Sequence, residues 1–181
     1  NQFRVIPLPD GDKSGVKAIC QLKNGDVLVG ARSKNVYLLD MQGRVKQVFD
    51  YAHHQIGSIY HAMCDDRQNL WLSTKGDGLV KLTPDSSRPI GYRIAHYRHD
   101  ARDPYSISGN NVYMTCQDSH HRIWVATLDG GLNLLQEQGG KVRFYNKYHG
   151  MKNYPGYGLY MDARNLVEDS HQRMWVGTMD G

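Results

Sequence analysis

The sequence predicts an all-β fold: a partial β-propeller of four-stranded antiparallel blades, about three and a half of them in 181 residues. Two observations carry this. Apolar stretches are short and punctuated by Gly, Asn, Asp and Pro, and no helix-period pattern is sustained. The chain also repeats itself. "VYMTCQDSHHRIWVATLDGGLNLL" (Val112 to Leu135) superposes without gaps on "IYHAMCDDRQNLWLSTKGDGLVKL" (Ile59 to Leu82) and on "ARNLVEDSHQRMWVGTMDG" (Ala163 to Gly181). A degenerate copy, "VKAICQLKNGDVLVGARSKNVYLL" (Val16 to Leu39), comes first. Trp71, Trp124 and Trp175 are 53 and 51 residues apart, and Leu28 takes their slot 43 residues before Trp71. A period of this length is the mark of a repeat architecture.

Each copy reads as the same run of elements. Val112 to Gln117 is an inner strand, Asp118 to Arg122 a polar turn, and Ile123 to Thr127 a β-branched second strand. A Gly-rich hairpin at Asp129 to Gly131 leads to a third strand, Leu132 to Leu135. A more polar fourth strand closes the unit: Phe3 to Ile6, Val45 to Phe49, Tyr92 to Tyr97 and Val142 to Tyr148. Strands apolar on both faces suit packing between neighbouring sheets, and a polar outermost strand protects the blade edge. Along the chain, 1–14 is then the last strand of a preceding blade and a lead-in loop. Blades follow at 15–49, 58–97 and 111–148, and 162–181 is the first half of another. Closed propellers have four to eight blades, so the expectation is a fragment whose open ends expose apolar faces.

Composition narrows the function classes. Forty per cent hydrophobic and 22% charged residues describe a folded chain. The formal charge of +4 does not by itself point to nucleic acid. No run nears the roughly 18 apolar residues of a membrane helix, and "NQFRVIPLPDGD" shows no basic head followed by an apolar stretch. Three cysteines give no disulfide framework and no CxxC pair; Cys20 and Cys116 share a slot and read as small core residues.

Repetition decides how the motif residues are read. Trp71, Trp124 and Trp175 resemble sugar-stacking platforms, but recurrence at one slot argues for structure. Burying an indole removes roughly 150–250 Å² from water, at most about 4–6 kcal/mol. Asp65, Asp118 and Asp169 also share a slot and read as turn caps. His120, His121 and His171 lie in the same turns, while His53 and His54 lie in a different type of loop. No convergent metal-ligand set is expected, and no cofactor.

The unrepeated loops leading into each blade are the candidate functional segments: Pro7 to Ser14, Asp50 to Gly57, Arg98 to Asn110 and His149 to Asp162. The last two are long. They carry Arg98, His99, Arg102 and Tyr105, and then Tyr154, Tyr157 and Tyr160, with Tyr148 just before. Tyr offers a rigid apolar face with a hydroxyl, and Arg a bidentate fork for carboxylate or sulfate. Ligand contact is therefore assigned to Tyr105, Arg98, Arg102, Tyr154 and Tyr157. The structural alternative is that these side chains pack the loops down.

The motif Asp-x-x-x-x-(Leu/Ile/Met)-Trp-(Val/Leu)-(Gly/Ala/Ser)-Thr, followed by a Gly-rich hairpin and Leu, resembles the two-component regulator propeller repeat. "DPYSISGNNVY" (Asp103 to Tyr113) resembles that family's lead-in to a blade. WD repeats and sialidase-type Asp boxes match less well. The family commonly places Gly in the turn before the Trp. Gly25 fits, but Gln68, His121 and Gln172 do not, and a different turn shape is expected there because positive φ is costly without Gly.

The resemblance implies a non-enzymatic piece of the periplasmic sensor of a hybrid two-component system. Such a sensor would recognise an oligosaccharide and signal to a histidine kinase outside this chain. Implied partners are the remaining blades and a second copy of the parent; nucleic acid and a membrane segment are not implied. Two other classes stay open: a propeller lyase or hydrolase, using carboxylates such as Asp100, Asp103, Asp129 or Asp162, and a protein-interaction scaffold.

Overall fold

Alternating and doubly apolar runs close into antiparallel ladders one after another along the chain. The computed structural model describes residues 3–128, 130–152, 154 and 162–179. The first sheet is β1 (Val16–Gln21), β2 (Val27–Ala31), β3 (Val36–Leu39) and β4 (Val45–Phe49). The second is β5 (Ile59–Cys64), β6 (Leu70–Thr74), β7 (Leu79–Pro84) and β8 (Tyr92–Tyr97). The third is β9 (Val112–Gln117), β10 (Ile123–Thr127), β11 (Gly131–Gln138) and β12 (Lys141–Tyr145). A two-stranded sheet, β13 (Ala163–Glu168) with β14 (Met174–Thr178), follows. In each, strand order is sequence order and every pairing is antiparallel, the arrangement of propeller blades.

Neighbouring sheets meet through their first and second strands: β1 lies against β5, β5 against β9 and β9 against β13. The first strands therefore converge on the centre and the fourth strands lie at the rim. Between sheets the core is continuous. Leu28, Phe49, Ile59, Leu70 and Leu82 fill the first interface, and Trp71, Leu79, Val112, Val125 and Phe144 the second. Ala126, Leu132, Ala163 and Leu166 pack the third with Trp124. Close approach explains the small residue of the motif. At that slot a Cβ on Gly30 would collide with Ile59, while Ser73 hydrogen-bonds across the interface to Thr115 at 3.0 Å.

Two expectations change. Residues 3–8 form no strand; Phe3 and Val5 are exposed, while Leu8 packs against Val29, Tyr37 and Leu39 of the first sheet without pairing to it. The turns before the tryptophans keep one shape despite losing glycine: Gln68, His121 and Gln172 have φ of 66°, 63° and 60°, beside 88° at Gly25. The left-handed conformation costs a residue with a Cβ about 1–2 kcal/mol. The aspartate opening the turn offsets that cost. In the third sheet Asp118 Oδ1 accepts from the backbone N–H of His120 (3.0 Å) and Arg122 (2.9 Å), while its carbonyl accepts from His121 (2.9 Å). The first copy has Leu22 in the aspartate slot, and there the turn uses glycine.

Candidate functional site

The two ends of the sheet stack differ in kind. At one end lie the turns joining first and second strands. Here the repeated residues join each other: the indole Nε1 of Trp71, Trp124 and Trp175 donates to Oδ2 of Asp65, Asp118 and Asp169 at 2.8, 2.7 and 2.8 Å. Arg122 and Arg173 donate to the same oxygens at 2.6 and 2.7 Å and lie over the indole rings. Lys81 covers Trp71 in the same way. Burial pushes the Asp118 carboxyl up, but Trp124 and Arg122 outweigh it and hold it below the usual carboxylate range. These residues are turn and core.

The same end ties sheets together. Asp66 accepts from Gln117 Nε2 at 2.8 Å and pairs with His121 Nδ1 at 2.5 Å, across the second interface. Glu168 accepts from the backbone N–H and hydroxyl of Ser119 at 2.7 and 2.8 Å, across the third. Contrary to expectation, one potential ligand set does converge: Asp118, His120 and Glu168 bring ligand atoms within 4.8 Å. Asp118 already accepts four donors, one of them a guanidinium, and Glu168 two. That chemistry suits an inter-sheet hydrogen-bond knot better than a cation. Cys20, Cys64 and Cys116 are free and half-buried; Cys20 and Cys116 pair with Leu28 and Trp124, the same register.

The opposite end collects the lead-in loops and the hairpins between second and third strands. One bond recurs there in every sheet: the backbone N–H of Arg32, Lys75, Leu128 and Met179 donates to the carbonyl of Gly15, Ser58, Asn111 and Asp162. The loop at 50–57 opens with a one-turn helix, Tyr51–His54, capped by Asp50. Its Ile56 is buried in the first interface, as Ile107 of the next loop is in the second.

The loop from Arg98 to Asn110 is built by its own polar side chains. Asp103 Oδ1 accepts from Tyr105 N–H (2.9 Å), Ser106 Oγ links the N–H and C=O of Asp100, and Asn110 caps His99 (2.8 Å). Ser108 Oγ, Thr127 Oγ1, Asn133 and Asn146 form a largely buried network at 2.7 to 3.2 Å that locks the loop to β10, β11 and the residue after β12. Beside it is a cavity of about 390 Å³ lined by His99, Asp100, Asp103, Ser106, Asn146 and Tyr148.

Within this frame the assigned residues divide. Tyr105 is half-buried, edge-on to Tyr145 (5.8 Å) and His149 (4.3 Å), with Arg143 over its ring (4.5 Å). Tyr154 accepts from Leu132 N–H at 2.9 Å and packs on the third interface, and burial pushes its phenol up. Both are engaged in packing. Arg102 is exposed and paired with Asp100 (3.1 and 3.2 Å), and Arg98 is exposed. Tyr157, Tyr160 and Asp129 lie outside the described residues. Among the described residues, none of Arg98, Arg102, Tyr105 and Tyr154 lines the cavity of about 390 Å³.

The structure also brings together residues the sequence reading passed over. Every first strand carries a β-bulge at its second residue: the register skips between Val16 and Ala18, Ile59 and His61, Val112 and Met114, and Ala163 and Asn165. The bulged residues are Lys17, Tyr60, Tyr113 and Arg164. They stand in one column of the gapless alignment, at the lead-in end of the central strands. Tyr60 and Tyr113 stack with centroids 4.7 Å apart and planes at 23°, and the Arg164 guanidinium lies 4.7 Å from the Tyr113 ring. The column was visible in the sequence, but its residue types vary, so repetition alone did not mark it.

Sheets of this order, stacked through their first strands, define a β-propeller region. Residues 106–129, spanning the lead-in serines, β9, the Asp118–Arg122 turn and β10, match the family described as two component regulator propeller. No curated protein sequence matches the chain. Among solved structures, the chain is similar to the extracellular domain of a protein from B. thetaiotaomicron assigned as a hybrid two component system, with a TM-score of 0.74 and 17% identity. The match covers 94% of this chain and 23% of that one. A second B. thetaiotaomicron extracellular domain, from an assigned one component system, gives 0.52 and 19%, covering 96% and 28%. Virginiamycin B lyase from Staphylococcus aureus gives 0.66 and 13%, covering 92% and 50%. At these identities the likeness is one of fold. The chain spans about a quarter to a half of these neighbours.

Proposed function

We propose that this chain is part of the extracytoplasmic ligand-recognition propeller of a two-component sensor, that it is periplasmic and non-catalytic, and that its ligand is an oligosaccharide. The observation carrying this reading is the regulator repeat at 106–129, set in a fold also seen in a hybrid two component extracellular domain. The lead-in end supports it with a cavity that carries polar groups from His99, Asp100, Asp103, Ser106 and Asn146, beside a loop that a buried network ties to the sheet. The carboxylates nearest that cavity, Asp100 and Asp103, cap their own loop turns, a structural duty that fits recognition better than acid–base chemistry.

Ligand at this end would act by preferring one arrangement of propellers in a receptor dimer, which shifts the kinase equilibrium by that differential affinity and no more. Calorimetric titration with a panel of glycan fragments tests the reading. Saturable heat with at least one glycan is expected. Silence with every glycan, while a protein or other small ligand binds, contradicts it.

A further inference from the structure

The bulged column at the centre of the lead-in end is a set of donors without acceptors. Arg164 is half-buried; among the described residues its buried Nε has no hydrogen-bond partner, and no carboxylate lies within ion-pair distance. Its one hydrogen bond to a described residue runs from Nη2 to the Met179 thioether at 3.2 Å, a weak acceptor. A guanidinium has five N–H donors in a planar fork, and leaving one buried and unmatched is costly unless a ligand completes it. Stacking on Tyr113 holds that fork in place. The phenol hydroxyls of Tyr60 and Tyr113 make no hydrogen bond to a described residue, and Lys17 adds an exposed cation one blade further round. Bulges re-aim side chains, and four in register turn these residues to one side of the central strands.

We propose that Arg164, Tyr113 and Tyr60 form an anion subsite that takes the carboxylate of an acidic saccharide, with Lys17 extending the positive rim. Arg164 and Lys17 can only donate, and the two phenol hydroxyls are able to donate alongside them, so an acceptor-only anion suits the set; the guanidinium fork matches the two oxygens of a carboxylate. This rests on the saccharide reading above and narrows it to uronate-bearing ligands.

Calorimetry with short oligogalacturonates, matched neutral galacto-oligosaccharides and inorganic sulfate tests it. The oligogalacturonate is expected to bind at least about tenfold more tightly than the neutral series, and Arg164→Lys to weaken it about tenfold while leaving neutral binding unchanged. Tyr113→Phe keeps the ring stack and serves if Arg164→Lys melts early; a loss of about threefold or more is expected. Equal affinity for the acidic and neutral series, or indifference to both substitutions, overturns the subsite and leaves the saccharide reading standing. Sulfate competing as well as the oligogalacturonate overturns the carboxylate assignment. Absence of binding by every saccharide overturns both.

Discussion

At the scale of single residues, the repeated aspartate explains most of the motif. Asp65 is buried and accepts from the N–H groups of Arg67 and Asn69, the Asn69 amide and the Trp71 indole, all between 2.8 and 3.0 Å. Asp65→Ala strands several of these donors in the core and removes the clamp on a left-handed Gln68. We expect a loss of about 3 kcal/mol in chemical denaturation, well beyond an average substitution. Asp169 supplies a pH signature. Donation from the Trp175 indole, then from the Arg173 backbone, lowers its carboxyl to about 2, beneath an unfolded value of about 3.9. A depressed carboxylate stabilises the fold above its unfolded pKa and ceases to do so as pH falls through the folded one. The melting-temperature gap between the parent and Asp169→Asn should therefore hold at neutral pH and close between about pH 4 and pH 2.

At the scale of elements, the instructive comparison is between turn and loop. A turn with a fixed clamp tolerates Gln or His at positive φ, because the hydrogen bonds of Asp65, Asp118 or Asp169 outweigh the steric cost. The lead-in loop at Arg98–Asn110 has no ladder, so a side-chain network replaces it. Asn133, fully buried in β11, accepts from the Ser108 N–H at 3.0 Å and donates to its hydroxyl at 2.7 Å. Asn133→Ala should leave the sheets intact and raise amide exchange across 98–110, with little change across β5 and β6. Unchanged exchange in the loop would place its order elsewhere.

At the scale of the whole molecule, the sheet stack leaves two apolar faces open. One exposes Ile19 and Met41 beside a groove of about 450 Å³. The other exposes Val167 and Trp175, whose counterpart Trp71 is 2% exposed under the next sheet while Trp175 is 56% exposed. Apolar area of this kind drives association. Sedimentation velocity should show concentration-dependent association that Ile19→Lys or Trp175→Lys weakens; a monomer at every concentration would contradict this.

The sequence by itself determined the repeat, the strand order within each blade and the separation of scaffold from loops. Those features are local: the spacing of Trp71, Trp124 and Trp175, the apolar alternation and the hairpin glycines act within one unit. Tertiary structure decided what the units do to each other. Only the three-dimensional structure showed that Trp and Asp of one motif are hydrogen-bonded within a sheet, that Tyr105 and Tyr154 are engaged in packing, and that Asp66 reaches His121 in the next sheet. It also showed that Tyr60, Tyr113 and Arg164, which share one column of the repeat, stack on one another across sheets. Residues more than forty positions apart become neighbours when first strands converge on an axis, and no local pattern encodes what such a convergence brings into contact.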